Sequence, residues 1–164
     1  MKVMASGLLV ILSLTLLAAC GGLSSKQRAA VDDALKAMRK IEASTQVGVG
    51  FQRYGEFLTD VQAAVNETNT LLPEGELKKS LSAARECYVD AHNGWQQSFD
   101  RQKTVGDGTL TIYTDIGQYL SRKYNLPWED TILGHPKGIS RQNTLNKIWA
   151  AASVHLNQAA SLAS

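Results

Sequence analysis

The chain has 164 residues, 44% of them hydrophobic and 20% charged, with a formal net charge of +2 at pH 7. Its 17 basic and 15 acidic side chains nearly cancel, which argues against the concentrated basic patch that nucleic acid requires and gives no polybasic reason to lie flat on anionic lipid. The length fits one domain with a single core.

The first predicted element is a leader. Lys2 precedes an apolar run from Leu8 to Leu17, interrupted only by Ser13 and Thr15, and small Ala18 and Ala19 follow. A basic start, a short apolar run and small residues at the cut describe a secretory signal over residues 1–19. The run falls short of the roughly 20 apolar residues that cross a bilayer. No later segment comes closer, so the mature chain is expected to lack a transmembrane helix.

Leu17-Ala18-Ala19-Cys20 resembles the bacterial lipobox. The resemblance implies diacylglycerol on the Cys20 thiol, cleavage before Cys20 and acylation of the new N-terminus. Gly21 in place of Asp implies the outer membrane of a Gram-negative cell, with the protein facing the periplasm. Cysteine suits this chemistry because its thiolate is the nucleophile that takes the lipid. Several acyl chains, at about 0.8 kcal/mol per buried CH₂, hold a membrane where one would not. The alternative is an ordinary cleaved signal with an accidental cysteine. With Cys20 lipidated, Cys87 has no partner in the chain, so the fold must hold without an internal disulfide in an oxidising compartment. Cys87 is then either a buried small hydrophobe or a free thiol.

Residues 20–25 make a short, small and polar tether, and residues 26–164 the folded domain. The spacing of Val31, Leu35, Met38 and Ile41 predicts a helix from about Ser25 to Ala43, capped by Ser24 or Ser25. Thr45 to Phe51 holds Gly48 and Gly50, a turn signal, while Val47, Val49 and Phe51 alternate as in an extended stretch tucked against the core. A second helix over Arg53–Leu71 carries a stripe of Tyr54, Phe57, Leu58, Val61 and Val65. Pro73 ends it and opens the third helix, which runs to about Lys103 with Leu77, Leu81, Ala84, Tyr88, Ala91, Trp95 and Phe99 on one face; Asn93-Gly94 marks a candidate kink. After the turn at Val105–Gly108, Thr109 to Thr114 alternates like a strand. The pattern of Ile112, Ile116, Tyr119 and Leu120 continues as a helix to Tyr124, and a lone strand would have no partner, so the helix is preferred. Leu126–Ile139 is a loop with two prolines. Ser140 caps a last helix to about Leu162, with Leu145, Ile148, Ala152, Leu156 and Ala159 inward. The expected class is all-α: an antiparallel bundle of four long helices plus one shorter helix.

Several chemistries are missing from the sequence. It holds no Cys-x-x-Cys-His haem site, no Glu-x-x-His di-iron motif, no His-Glu-x-x-His zinc motif and no Gly-x-Ser-x-Gly elbow. Gly48 and Gly50 lack the strand and Lys-Ser/Thr of a phosphate loop. His92 is paired with neither Asp90 nor Cys87 by helical spacing. His155 sits in an apolar stripe. No catalytic residue, metal-ligand set or cofactor stands out. Tyr54, Tyr88, Trp95 and Trp149 fall at core spacing.

Trp128 differs, because it falls in the predicted loop beside Glu129 and Asp130, with His135 nearby. These four form the candidate interaction surface, since function concentrates on loops held by a rigid scaffold. Trp128 could also fold back and plug one end of the bundle.

The run from Lys40 through Gln46-Val-Gly-Val-Gly-Phe-Gln-Arg-Tyr54 resembles uncharacterised helical proteins of cyanobacteria and other bacteria. It covers under a quarter of the chain and implies no activity. The sequence therefore points to a lipid-anchored envelope protein, a non-enzymatic binding or structural accessory module with an envelope protein as partner. The alternative is a binder of a small apolar ligand or a metal between the helices.

Overall fold

A computed structural model describes residues 22–105, 111–128 and 138–164. The signal segment, Cys20, Glu129, Asp130 and His135 lie outside the described residues. The all-α expectation holds, and the chain forms a helical bundle. Its helices are α1 (Ser25–Val47), α2 (Phe51–Leu71), α3 (Glu76–Val105), α4 (Thr114–Tyr124) and α5 (Arg141–Ala163).

Helix α1 starts where a capping box satisfies two orphan amides. The Ser24 amide donates to Gln27 Oε1 at 2.9 Å, and the Gln27 amide donates to Ser24 Oγ at 3.3 Å. Val31, Ala34, Leu35, Met38 and Ile41 form its buried face. The helix ends at Gly48, whose φ of 91° suits glycine and strains other residues. The expected extended stretch from Val47 to Phe51 is shorter than read. Val47 closes α1 at 87% exposure, Phe51 already opens α2, and only Val49 packs on the core from the connection.

Helix α2 buries Tyr54, Phe57, Leu58, Val61, Val65 and Thr68. The Thr68 hydroxyl sits within 2.9 Å of the Ala30 carbonyl and 2.8 Å of the Ala64 carbonyl, so its burial leaves no unmet donor. Pro73 lies in the connection and does not open α3, which begins at Glu76. The acidic Glu76 falls in its first turn, where the helix dipole favours it.

Helix α3 passes through Asn93-Gly94 without a break. Gly94 serves packing instead. A Cβ there would come within 2.8 Å of Leu120 Cδ1 and 3.1 Å of Ile112 Cδ1, so a larger residue would have to push these two side-chain tips aside.

That following segment departs from expectation. Thr111–Ile112 is a strand, β1, and α4 starts only at Thr114. Its partner is β2, Ile139–Ser140, at the end of what reads as a loop. The two are antiparallel, with Thr111 opposite Ser140 and Ile112 opposite Ile139. The partner escapes a sequence reading because two residues carry too little alternation to register. Gly138 makes the approach fit, since a Cβ there would meet Thr111 Cγ2 at 2.5 Å and the Ile112 carbonyl oxygen at 2.9 Å. Ser140 then caps α5 as expected, its hydroxyl accepting from the Asn143 amide.

Several contacts between helices pair an early residue of one with a late residue of another. Gln27 donates to the Leu71 carbonyl and Lys40 pairs with Asp60, between α1 and α2. Arg85 reaches Asn66 and Asn69 reaches Ser82, between α2 and α3. Arg141 reaches Ser98, between α5 and α3. Arg28 donates to the Ala163 carbonyl and Ser153 donates to Glu42, between α1 and α5. The first turn of α1 thus shares one end of the bundle with the last turns of α2 and α5.

Candidate functional site

Three places gather polar or aromatic side chains. The first is an aromatic layer joining α2, α3 and α5. The Tyr54 hydroxyl is fully buried; it donates to the Tyr88 carbonyl at 3.0 Å and accepts from Trp149 Nε1 at 3.2 Å. Burial pushes its pKa well above the ordinary tyrosine value, partly offset by the Trp149 bond. Tyr54 lies 5.8 Å from Trp95 and 6.0 Å from Trp149, and the two tryptophan rings are 6.2 Å apart, edge to face. Phe51 stacks on His92 at 4.9 Å and on Phe99 at 5.3 Å. Burial holds His92 below the usual histidine pKa, and its Asn93 bond only partly opposes this. The rings of Tyr54, Trp95 and Trp149 pack on one another.

The second place is a charged cluster that the sequence does not announce. Asp90 is buried at 5% exposure on α3. Its Oδ2 accepts from the Tyr124 hydroxyl at 2.7 Å, the Lys123 ammonium at 2.8 Å and the Tyr119 hydroxyl at 3.4 Å. Lys123 also reaches Glu86 and Tyr119. Burial opposes the charge on Lys123, but bonds to Asp90, Glu86 and Tyr119 outweigh it and raise the pKa above the lysine norm. Burial likewise raises Tyr124, with Cys87 and Asp90 adding to it.

Cys87 is 4% exposed, and burial pushes its thiol up although Tyr124 and Lys123 pull the other way. A thiol held protonated is a poor nucleophile. The Asp90 carboxylate accepts an ammonium and two hydroxyls at Oδ2, so it latches α4 onto α3. The sequence contained a partial signal: Glu86, Cys87 and Asp90 fall at helical spacing, as do Tyr119 and Lys123. What it hid was that these two runs face each other.

The third place is the predicted loop surface. Asn125 closes α4 in the left-handed conformation at φ 49°, and the Leu126 amide donates back to the Ser121 carbonyl. Leu126 is buried, which leaves Trp128 two residues on at 38% exposure. The far edge of its ring lies over Gly117, 3.4 Å from where a Cβ would stand. Trp128 is therefore neither a buried plug nor a free side chain. Its predicted companions Glu129, Asp130 and His135 lie outside the described residues.

Among the described residues, no group of three His, Cys, Asp or Glu side chains is placed to hold a metal ion. Likewise, no helix among them is long and apolar enough to cross a membrane. Comparison with protein-family models, with curated proteins and with solved structures finds no match.

Proposed function

We propose that this chain is a lipoprotein anchored through Cys20, with a non-enzymatic bundle that serves as a binding or structural accessory module at the periplasmic face of the outer membrane. The observation that carries this reading is the short distance from the lipobox to the folded domain. Ser24 already closes the capping box of α1, four residues after Cys20. Four extended residues span at most about 14 Å, so an acylated Cys20 would hold the bundle against the headgroups.

The long helices α1, α2, α3 and α5 form an antiparallel set in this reading, with α4 as the fifth and shorter helix. The early-to-late contacts between neighbouring helices support that order. The end holding the first turn of α1 then faces the membrane. Helix α1, with 23 residues, reaches about 35 Å. The ribbon and Trp128 lie toward the other end, because Ile112 and Leu120 approach Gly94, well along α3 from Glu76. A partly exposed tryptophan whose ring rests on a helix surface at Gly117 suits an interface anchor. The mutual packing of Tyr54, Trp95 and Trp149 favours this role over an apolar ligand between the helices.

The test is site-specific photo-crosslinking in cells with the full chain. A photoreactive residue at Trp128 should trap an envelope protein. The same residue at exposed Val154 should trap much less. Equal or absent crosslinking at both positions would contradict an interaction surface at Trp128.

A further inference from the structure

A surface groove of about 450 Å³ runs between α1 and α5. Arg28, Asp32, Lys36 and Arg39 line its α1 side, Leu35 lies at its base, and Ala160 borders it from α5. The three cations in the groove have no carboxylate paired to them among the described residues. Lys40, Arg53, Lys78, Lys79 and Lys123 all pair with carboxylates. Among the described residues Lys36 and Arg39 make no ion pair, and Arg28 donates only to the Ala163 carbonyl, at 3.3 Å.

We infer that this groove binds a phosphate ester that carries a free hydroxyl and an apolar stem, the chemistry of an anionic phospholipid headgroup. Arg28 and Arg39 offer planar forks that match phosphate oxygens, with Lys36 as a point charge between them. The three span about 16 Å of helix, enough to follow an elongated ligand. Asp32 repels a bare anion but accepts from a hydroxyl next to a phosphate. Buried Leu35 and the small Ala160 give an apolar stem a surface to lie on. A discrete groove of this kind is compatible with a chain that is nearly neutral overall.

The site does not depend on the anchor, so Cys20→Ala should bind the same ligands. The test is calorimetric titration of the full chain in neutral detergent. The titrants are glycerol 3-phosphate, inorganic phosphate, and micelles doped with phosphatidylglycerol or with phosphatidylcholine. Saturable binding of phosphatidylglycerol but not phosphatidylcholine is expected. Binding of glycerol 3-phosphate as well would show that the headgroup suffices, and binding of the doped micelles alone would show that the stem is needed. The triple variant Arg28→Gln, Lys36→Gln, Arg39→Gln should bind roughly 100-fold more weakly, about fivefold per lost charge. Its helical spectrum should be intact because all three side chains are exposed. Lys78→Gln with Lys79→Gln should change nothing. Asp32→Ala, which removes the acceptor for the hydroxyl, should erase any preference for glycerol 3-phosphate over inorganic phosphate. No saturable binding by the native chain, or equal binding by the triple variant, would overturn the inference.

Discussion

The indole Nε1 of Trp149 donates to the Tyr54 hydroxyl at 3.2 Å, linking residues 95 positions apart. The same hydroxyl donates to the Tyr88 carbonyl, so one oxygen ties α5 to α2 and α2 to α3. Tyr54→Phe keeps the ring and removes both bonds, leaving the indole N–H and a buried carbonyl without this partner. Unfolding in urea should show a loss of about 1–3 kcal/mol with an unchanged denaturant slope. A midpoint equal to the native one would show that the oxygen contributes nothing to holding the three helices.

Lys123 and Asp90 are the latch of α4. Lys123→Met should cost about 2–3 kcal/mol, because it leaves the Asp90 carboxylate buried with hydroxyl partners only. Adding Asp90→Asn should cost less than the sum of the two single changes, and a double-mutant cycle measures the coupling. The pH dependence has a defined sign. The folded-state pKa of Lys123 lies above its unfolded value. Its contribution is therefore fully present below about pH 10 and lost as pH rises through the folded value. Lys123→Met should flatten the alkaline limb of the stability profile.

His92 behaves in the opposite way. Its folded-state pKa lies below its unfolded value because burial disfavours the charged ring. The associated stability is present above about pH 6.5 and falls as pH drops through the folded value, since the unfolded chain takes up the proton first. Urea unfolding at pH 7.5 and at pH 5 should give a lower midpoint at pH 5, and His92→Gln should narrow the gap. The carboxylate of Glu74, whose pKa is lowered by Lys78, titrates below this window and does not mimic the effect. An identical gap in the variant would assign the slope elsewhere.

The long elements were legible in the sequence for a physical reason. A helix that buries one stripe repeats its apolar residues every 3.6 positions, and Val31–Ile41, Tyr54–Val65 and Leu145–Ala159 all do so over several turns. The caps at Ser24 and Ser140 were legible because capping depends on residue type and immediate neighbours. Two features were not. The ribbon of Thr111–Ile112 with Ile139–Ser140 is two residues long on each side, and its register depends on Gly138 admitting a neighbouring backbone. The Asp90 cluster depends on which face of α4 meets α3, a tertiary fact that neither helix encodes alone. Trp128 was legible as an outlier from every stripe, and the structure gives it a resting place over Gly117 that no periodicity foretells.

The anchor at Cys20 is the claim on which the proposed role depends. It is tested most directly by intact mass and lipid labelling of the full chain expressed in a bacterial envelope. The account predicts a mature protein that begins at Cys20, carries acyl chains, incorporates labelled palmitate and partitions into detergent. Cys20→Ala should abolish all of these while leaving the helical spectrum of the bundle unchanged. A mature N-terminus elsewhere, or palmitate labelling that persists in Cys20→Ala, would contradict it.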